Sequence, residues 1–267
     1  MKSNSDESTR PDVKATKRVY RRRARRYELF HHLGTRFRDT AWRREVAWLA
    51  GVKDGARVLD LCTGTGISSV EYLKVWDAKG ITDVRVVGVD HNEEMLAVGR
   101  EKLAGLGVGD RVELICGDAM DLKGGERGEG SAVFEDSSFD AVLSMCGVGE
   151  IERPGLAFKE MLRVVKPGGR VVVIDVHEPV EGLSPFYPLQ RWVWDTLVRP
   201  HILTKFWGAG DPSRMIYDLA ETTFTDEGGR RWGFETLVQA VRVDPWWLSI
   251  PINTIGIFCG KKVEQQL

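Results

Sequence analysis

The chain has 267 residues and a formal net charge of -1. That length suits one large α/β domain, or one domain with a lid, and the charge gives no global field that favours nucleic acid or a membrane. The four cysteines, Cys62, Cys116, Cys146 and Cys259, stand far apart with no Cys-x-x-Cys pair, the pattern of reduced thiols in a cytoplasmic protein. No apolar stretch approaches the roughly 18–20 residues that span a bilayer, and the polar N-terminus lacks a signal-peptide core.

Residues 1–12 are polar and read as a disordered tail; residues 13–267 read as a single domain. Within it, residues 13–52 form an N-terminal helical cap. Tyr20, Ala24, Tyr27 and Phe30 share one helical face and a run of Lys and Arg between Lys14 and Arg26 takes the other. A further helix carrying Trp42, Val46 and Leu49 stops at Gly51. Strands and helices then alternate. Strands are expected at Arg57–Leu61, Val84–Val89, Val112–Cys116, Phe139–Met145 and Arg170–Val176. Helices are expected at Ile67–Val75, Glu93–Leu106 and Leu156–Val165, with an exposed loop at Gly124–Ser131 and a turn at Lys166–Gly169. Repeated strand–helix units imply a Rossmann-like doubly wound sheet, mostly parallel. Residues 179–227, rich in Pro and Trp, read as a helical lid inserted after the fifth strand. Phe234–Val243 and Ile252–Cys259 close the sheet, with an antiparallel closing strand.

The most informative stretch is Val58 to Ser69. An apolar run ends in Asp60, Gly64 and Gly66 follow, and a helical pattern starts at Ile67. Glycine permits a positive-φ turn and close approach of a ligand to bare main chain, and the helix start offers unpaired N–H groups. In parallel sheets, ligands bind beyond the carboxyl ends of strands. Asp90 with His91 ends the second strand and is suited to ribose hydroxyls. Asp118 follows the third and is suited to an exocyclic amine, with Ala119 and Met120 beside it. Ser144 ends the fourth. A dinucleotide fits less well, because its turn requires glycine at the first, third and sixth positions and Ser69 stands at the last of these. Asp60 suits a ligand with a cationic group instead, which points to S-adenosyl-L-methionine.

The ordered set Asp60 to Gly66, Val89-Asp90, Gly117-Asp118-Ala119-Met120, Ser138-Phe139-Asp140 and Leu162 to Gly169 resembles the class I S-adenosylmethionine-dependent methyltransferases. Tyr27-Glu28, Trp42-Arg43-Arg44 and Asn253 to Ile257 make the chain more narrowly similar to the ubiquinone/menaquinone C-methyltransferase group. By that resemblance Thr65, Asp90, Asp118, Ala119 and Ser144 contact the cofactor and Tyr27 closes over it. Asp60, Cys62, Gly64, Gly66 and His91 complete the expected contact set. The chain departs from the group at Cys62-Thr63 and at Met145 to Glu150, which bears on the acceptor rather than the cofactor.

Methyl transfer is an in-line displacement, so the protein chiefly positions an acceptor about 3 Å from the methyl group. His177, Glu178, Glu150, His31 and His32 are candidate bases for a ring-carbon acceptor, and none is assigned. No metal is expected, since Ser144 stands where a metal-using relative has a carboxylate. Six of the nine tryptophans follow residue 190, which reads equally as a greasy acceptor pocket or as a lid packed on the sheet. The expected partner is a hydrophobic small-molecule acceptor, a prenylated quinone precursor or related lipid. Nucleic acid is excluded as an expected partner. The basic stretch from Lys14 reads first as a solvated helix face and second as a peripheral membrane contact. The alternatives are methylation of another small metabolite or a phospholipid amine, or a non-catalytic S-adenosylmethionine-binding protein of the same fold.

Overall fold

In the computed structural model the described residues are 28–29, 32, 35, 37–124, 133–151, 153–196, 215–243 and 254–265. The expected tail, Tyr27, His31, Trp207, Trp246, Trp247 and Asn253 lie outside them, as does most of the expected loop at Gly124–Ser131.

Eight strands form one sheet: β1 Ala56–Leu61, β2 Val84–Asp90, β3 Val112–Cys116, β4 Phe139–Met145, β5 Val165–Val176, β6 Phe224–Thr225, β7 Arg231–Val243 and β8 Thr254–Glu264. Their order is β3-β2-β1-β4-β5-β8-β7-β6. The first five pair in parallel and β8, β7 and β6 add antiparallel. The sheet is Rossmann-like, as expected. Chain order runs outward from β1 to β3, then restarts on the other side at β4, so the reversal lies between β1 and β4. That is where an open α/β sheet leaves a ligand crevice at the strands' carboxyl ends.

Helices cover both faces. On one side lie α1 Asp39–Ala50 and α2 Ile67–Asp77, joined by Trp42, Tyr72 and Trp76, all buried. The Trp76 indole donates to the Ala47 carbonyl at 3.0 Å, which satisfies its polar edge inside the core. α3 Glu93–Leu106 packs on β2 and β3. On the other side α4 Pro154–Val164, with Pro154 in its first turn, buries Phe158, Met161 and Leu162 against Phe139 and Phe258. α5 Tyr187–Val193 and α6 Met215–Ala220 fall in the stretch read as a lid. Among the described residues no helix is long and apolar enough to cross a membrane.

Two local expectations are corrected. Lys166–Gly169 is not a turn between elements but a bulge inside β5. Val165 pairs with Phe139 and Arg170 with Ala141, so four residues arch over Asp140, and a Cβ on Gly169 would stand 2.6 Å from the Asp140 carbonyl. The closing region is also larger than read. β8 runs to Glu264, and Phe224–Thr225 pairs with the start of β7 across a turn in which the Gly229 N–H donates to the Asp226 carbonyl at 3.0 Å.

Candidate functional site

The crevice is built from strand ends. Beyond β1 the backbone turns with positive φ at Cys62 (60°), Gly64 (57°) and Gly66 (70°), and Gly66 starts α2. Gly64 also leaves room for a neighbour, since a Cβ there would stand 3.3 Å from the Met95 terminal methyl. Asp60 locks the turn from below. One of its carboxylate oxygens accepts from the Thr63 hydroxyl at 2.7 Å and the Ser69 hydroxyl at 2.6 Å. Burial pushes its carboxyl up to about 6, against those two hydrogen bonds and the charge of Arg43. Asp60 is thus engaged with hydroxyls on both sides of the turn.

Asp90 ties the second strand end to the same turn. It accepts the Gly64 N–H at 2.8 Å and the Asn92 N–H at 2.9 Å, and burial raises its carboxyl. His91 lies exposed beside it, 3.7 Å from the carboxylate. Asn92 caps α3 by accepting the Glu94 and Met95 N–H groups, while its buried side-chain NH2 has no hydrogen-bond partner. At the third strand end Asp118 accepts the Met120 N–H at 2.9 Å, and Ala119 packs against the α4-side core.

Thr65 is buried and its hydroxyl donates to Glu28 at 2.6 Å. Lys102 of α3 pairs with Glu28 and also donates to the Thr65 hydroxyl and carbonyl at 3.0 and 3.1 Å. Burial lowers the Lys102 ammonium to about 8. The residue next to Tyr27 is therefore anchored on the glycine turn.

On the β4 side Ser144 is fully buried and its hydroxyl has no hydrogen-bond partner. Cys146 takes φ 53°, and Gly147 then meets the β1 turn so closely that a Cβ on it would stand 2.4 Å from the Cys62 Cβ. Asp175, near the end of β5, is buried and accepts the Gly149 N–H at 3.0 Å and the Val176 N–H at 2.7 Å. The nearby Val148 and Gly147 N–H groups also favour the charged form, yet burial, the largest cause, carries the carboxyl up to about 6.

The candidate bases are differently placed. His177 is buried, with Nδ1 2.8 Å from the Glu178 carbonyl, and Glu178 pairs with Arg191 at 3.3 Å. His32 pairs with Asp39 at 2.6 Å at the start of α1. The Glu150 side chain lies outside the described residues. Of the late tryptophans, Trp194 is buried, Trp192 is exposed, and Trp232 sits at the opposite, amino-terminal edge of the sheet beside Lys262.

Sequence reading left four contributors out of the site. Asn92 carries an N-cap signal, two residues past Asp90 and just before a helix. Asp175 closes an apolar strand, the same signal that marked Asp60. Lys102 and Arg43 carry no local signal. Arg43 is buried between Asp39 at 2.5 Å and the Ser68 hydroxyl at 3.1 Å.

A reversal-point crevice and a glycine turn held by the acids of the first two strand ends, Asp60 and Asp90, define an α/β protein of nucleotide-binding type. The chain belongs to the ubiE/COQ5 methyltransferase family, whose model matches residues 7–200. It is 35% identical over 172 residues to demethylmenaquinone methyltransferase of Staphylococcus aureus strain MRSA252, a match that covers 63% of this chain and 64% of that relative, less than two thirds of the relative's length. Solved structures of the same fold include a geranyl diphosphate C-methyltransferase from Streptomyces coelicolor A3(2), in complex with Mg2+, geranyl diphosphate and S-adenosyl-L-homocysteine. Its TM-score is 0.56 at 15% identity, covering 84% of this chain and 78% of that one. A [4+2]-cyclase has a TM-score of 0.57 at 18% identity, covering 83% and 80%. At such identities the likeness is one of fold.

Proposed function

We propose that this chain transfers a methyl group from S-adenosylmethionine to a ring carbon of a hydrophobic quinone precursor of demethylmenaquinone type. The observation that carries the reading is the edge of the sheet at the carboxyl ends of β4, β1 and β2, where a chain of this family carries two buried side-chain groups without protein partners, the Ser144 hydroxyl and the Asn92 side-chain NH2. Unpaired buried polar groups are costly, so a polar ligand at this edge of the sheet gives them a purpose. The residues fit the cofactor. Gly64 and Gly66 present bare main chain, Asp90 offers a carboxylate to ribose hydroxyls, and Asp118 with Ala119 flanks the base. Tyr27, Cys62, Thr65, His91 and Ser144 belong to the proposed contact set, with Asp60 shaping the turn from behind.

When bound, S-adenosylmethionine supplies a methyl group already activated by a sulfonium. The work left to this chain is to position the acceptor and to exclude water from it. His177 and Glu178 are held by neighbours, so neither is assigned as a base. We further propose a cytoplasmic protein that meets its lipid-like acceptor at a membrane surface, the basic stretch from Lys14, which lies outside the described residues, supplying charge for anionic headgroups.

The test is calorimetry with S-adenosylmethionine, followed by transfer of a labelled methyl group to a short-chain demethylmenaquinone. Binding and label in the quinone support the reading. Binding with no label in this quinone or any extracted lipid removes the acceptor class, and absence of binding removes the reading as a whole.

A further inference from the structure

We propose that Asp175 is the positioning residue for the acceptor side of the crevice, holding the loop after β4 as a rigid wall against the glycine turn. The inference rests on the methyltransferase reading above, and its structural part stands without it.

The loop Cys146 to Glu150 departs from regular geometry at its first residue, where Cys146 takes φ 53°. It ends in a short 3-10 turn, Val148–Glu150. A segment of this kind makes few backbone bonds of its own, and its N–H groups need acceptors. Asp175 supplies them. Its side chain is 2% exposed; one oxygen accepts from Gly149 at 3.0 Å and the other from Val176 at 2.7 Å. The Gly147 and Val148 N–H groups lie near enough to favour its charged form. Alternation along β5 places Asp175 on the α4 face, the same face as Val148.

The other side of the loop abuts the β1 turn. Gly147 lies against Cys62 with no space for a methyl group between them. The loop is therefore clamped between a buried carboxylate on β5 and the turn that the cofactor is proposed to occupy. Asp175 is too deeply buried, and too fully engaged by backbone donors, to be a contact for either substrate. Its influence reaches the reacting atoms through the backbone of Gly147, Val148 and Gly149. Near-attack geometry is sensitive to displacements of about 1 Å, so loosening this wall is expected to reduce turnover while leaving the cofactor contacts at Gly64, Asp90 and Asp118 intact.

The experiment compares Asp175→Asn and Asp175→Glu with the wild type by three measurements. Hydrogen exchange follows the amides of residues 147–149, calorimetry gives the S-adenosylmethionine Kd, and steady-state kinetics use a short-chain demethylmenaquinone. In Asp175→Asn the amide NH2 faces backbone donors. The loop amides should exchange at least tenfold faster while those of residues 62–66 are unchanged. The Kd should stay within threefold and kcat should fall ten- to a hundredfold. Asp175→Glu keeps the charge and should recover part of both loop protection and kcat; it carries the test should the Asn variant fail to fold. Unchanged loop exchange, or a Kd that rises in step with the loss of kcat, overturns the proposal. If the loop loosens as expected but the wild type neither binds S-adenosylmethionine nor transfers methyl, the methyltransferase reading falls and the clamp stands as a structural device.

Discussion

Gly147 and Cys62 touch across the point where the sheet reverses its order: a methyl group on Gly147 would stand 2.4 Å from the Cys62 Cβ and 3.4 Å from its sulfur. The obstructing atom is a Cβ fixed to the backbone of a strained turn, with φ 60° at Cys62, so it has no flexible way to yield. Gly147→Ala is expected to destabilise the protein by about 1–3 kcal/mol, the range for overpacking a filled site. Cys62→Gly removes the obstruction and suits the left-handed backbone. The double variant should therefore recover at least half of that loss. Urea denaturation of the four proteins in a double-mutant cycle measures the coupling, and strictly additive effects would show that the two loops do not bear on one another.

Asp60 gives a pH signature. Its carboxyl is raised from 3.8 to about 6, burial being the largest cause. Between those values the folded protein binds a proton that the unfolded chain does not, so this group's contribution to stability is full below pH 4 and is lost as pH rises through 6. Asp60→Asn lacks that titration. From pH 7 down to pH 4 the stability difference should shift toward the wild type by about 2–3 kcal/mol. Chemical denaturation of both proteins at several pH values checks it, and parallel curves would mean that Asp60 titrates near its ordinary value when folded.

The parts of the fold legible in the sequence are those with strong local pattern. The parallel strands are apolar runs that end in an acid or a glycine, so β1, β2 and the turn at Gly64–Gly66 could be read directly. Lys166-Pro167-Gly168-Gly169 has turn chemistry, and only the pairing of Val165 with Phe139 makes it a bulge within a strand. β6 has two residues, too few for any periodicity. In the site, an acid at a strand end reads as a ligand contact. What the sequence does not display is its partner: Asp60 is held by Ser69, on the far side of the turn, and the acid at Asp175 is held by a loop from another strand. Lys102 reaches Glu28 across 74 residues, a relationship that only the folded chain reveals.

The pair Asp39–Arg43 is a second place where removal of one group should be costly. Both side chains are buried, 2.5 Å apart, one turn from each other on α1. Arg43→Met keeps the volume but takes the guanidinium away from a buried carboxylate, for which about 3–5 kcal/mol is typical. His32 remains 2.6 Å from Asp39, so the carboxylate keeps a partner and the loss should fall near the lower end, about 3 kcal/mol. Urea unfolding of Arg43→Met, made alone and together with His32→Gln, tests this, and an equal loss in the two backgrounds would show that His32 does not compensate.

Lys102 links the N-terminal segment to the glycine turn through one ammonium group. It pairs with Glu28 and donates to the hydroxyl and the carbonyl of Thr65. The pair is part-buried, with the Lys102 and Glu28 side chains 21% and 29% exposed. Its removal should cost more than the ~0–1 kcal/mol of a surface pair and less than that of a fully buried one, so about 1–2 kcal/mol. The loss should be local. In Lys102→Met the amides of Glu28 and Leu29 should exchange several-fold faster while those of α3 are retained, because α3 keeps its Asn92 cap and its packing on β2 and β3. If the segment that carries Tyr27 covers the crevice, S-adenosylmethionine should also bind three- to tenfold more weakly. Glu28→Gln, which preserves the bond from Thr65 while removing the charge, should have a smaller effect on both. Calorimetry and hydrogen exchange on the two variants decide it. A Lys102→Met protein with wild-type affinity and an unchanged N-terminal segment would show that the contact neither holds that segment nor assists binding.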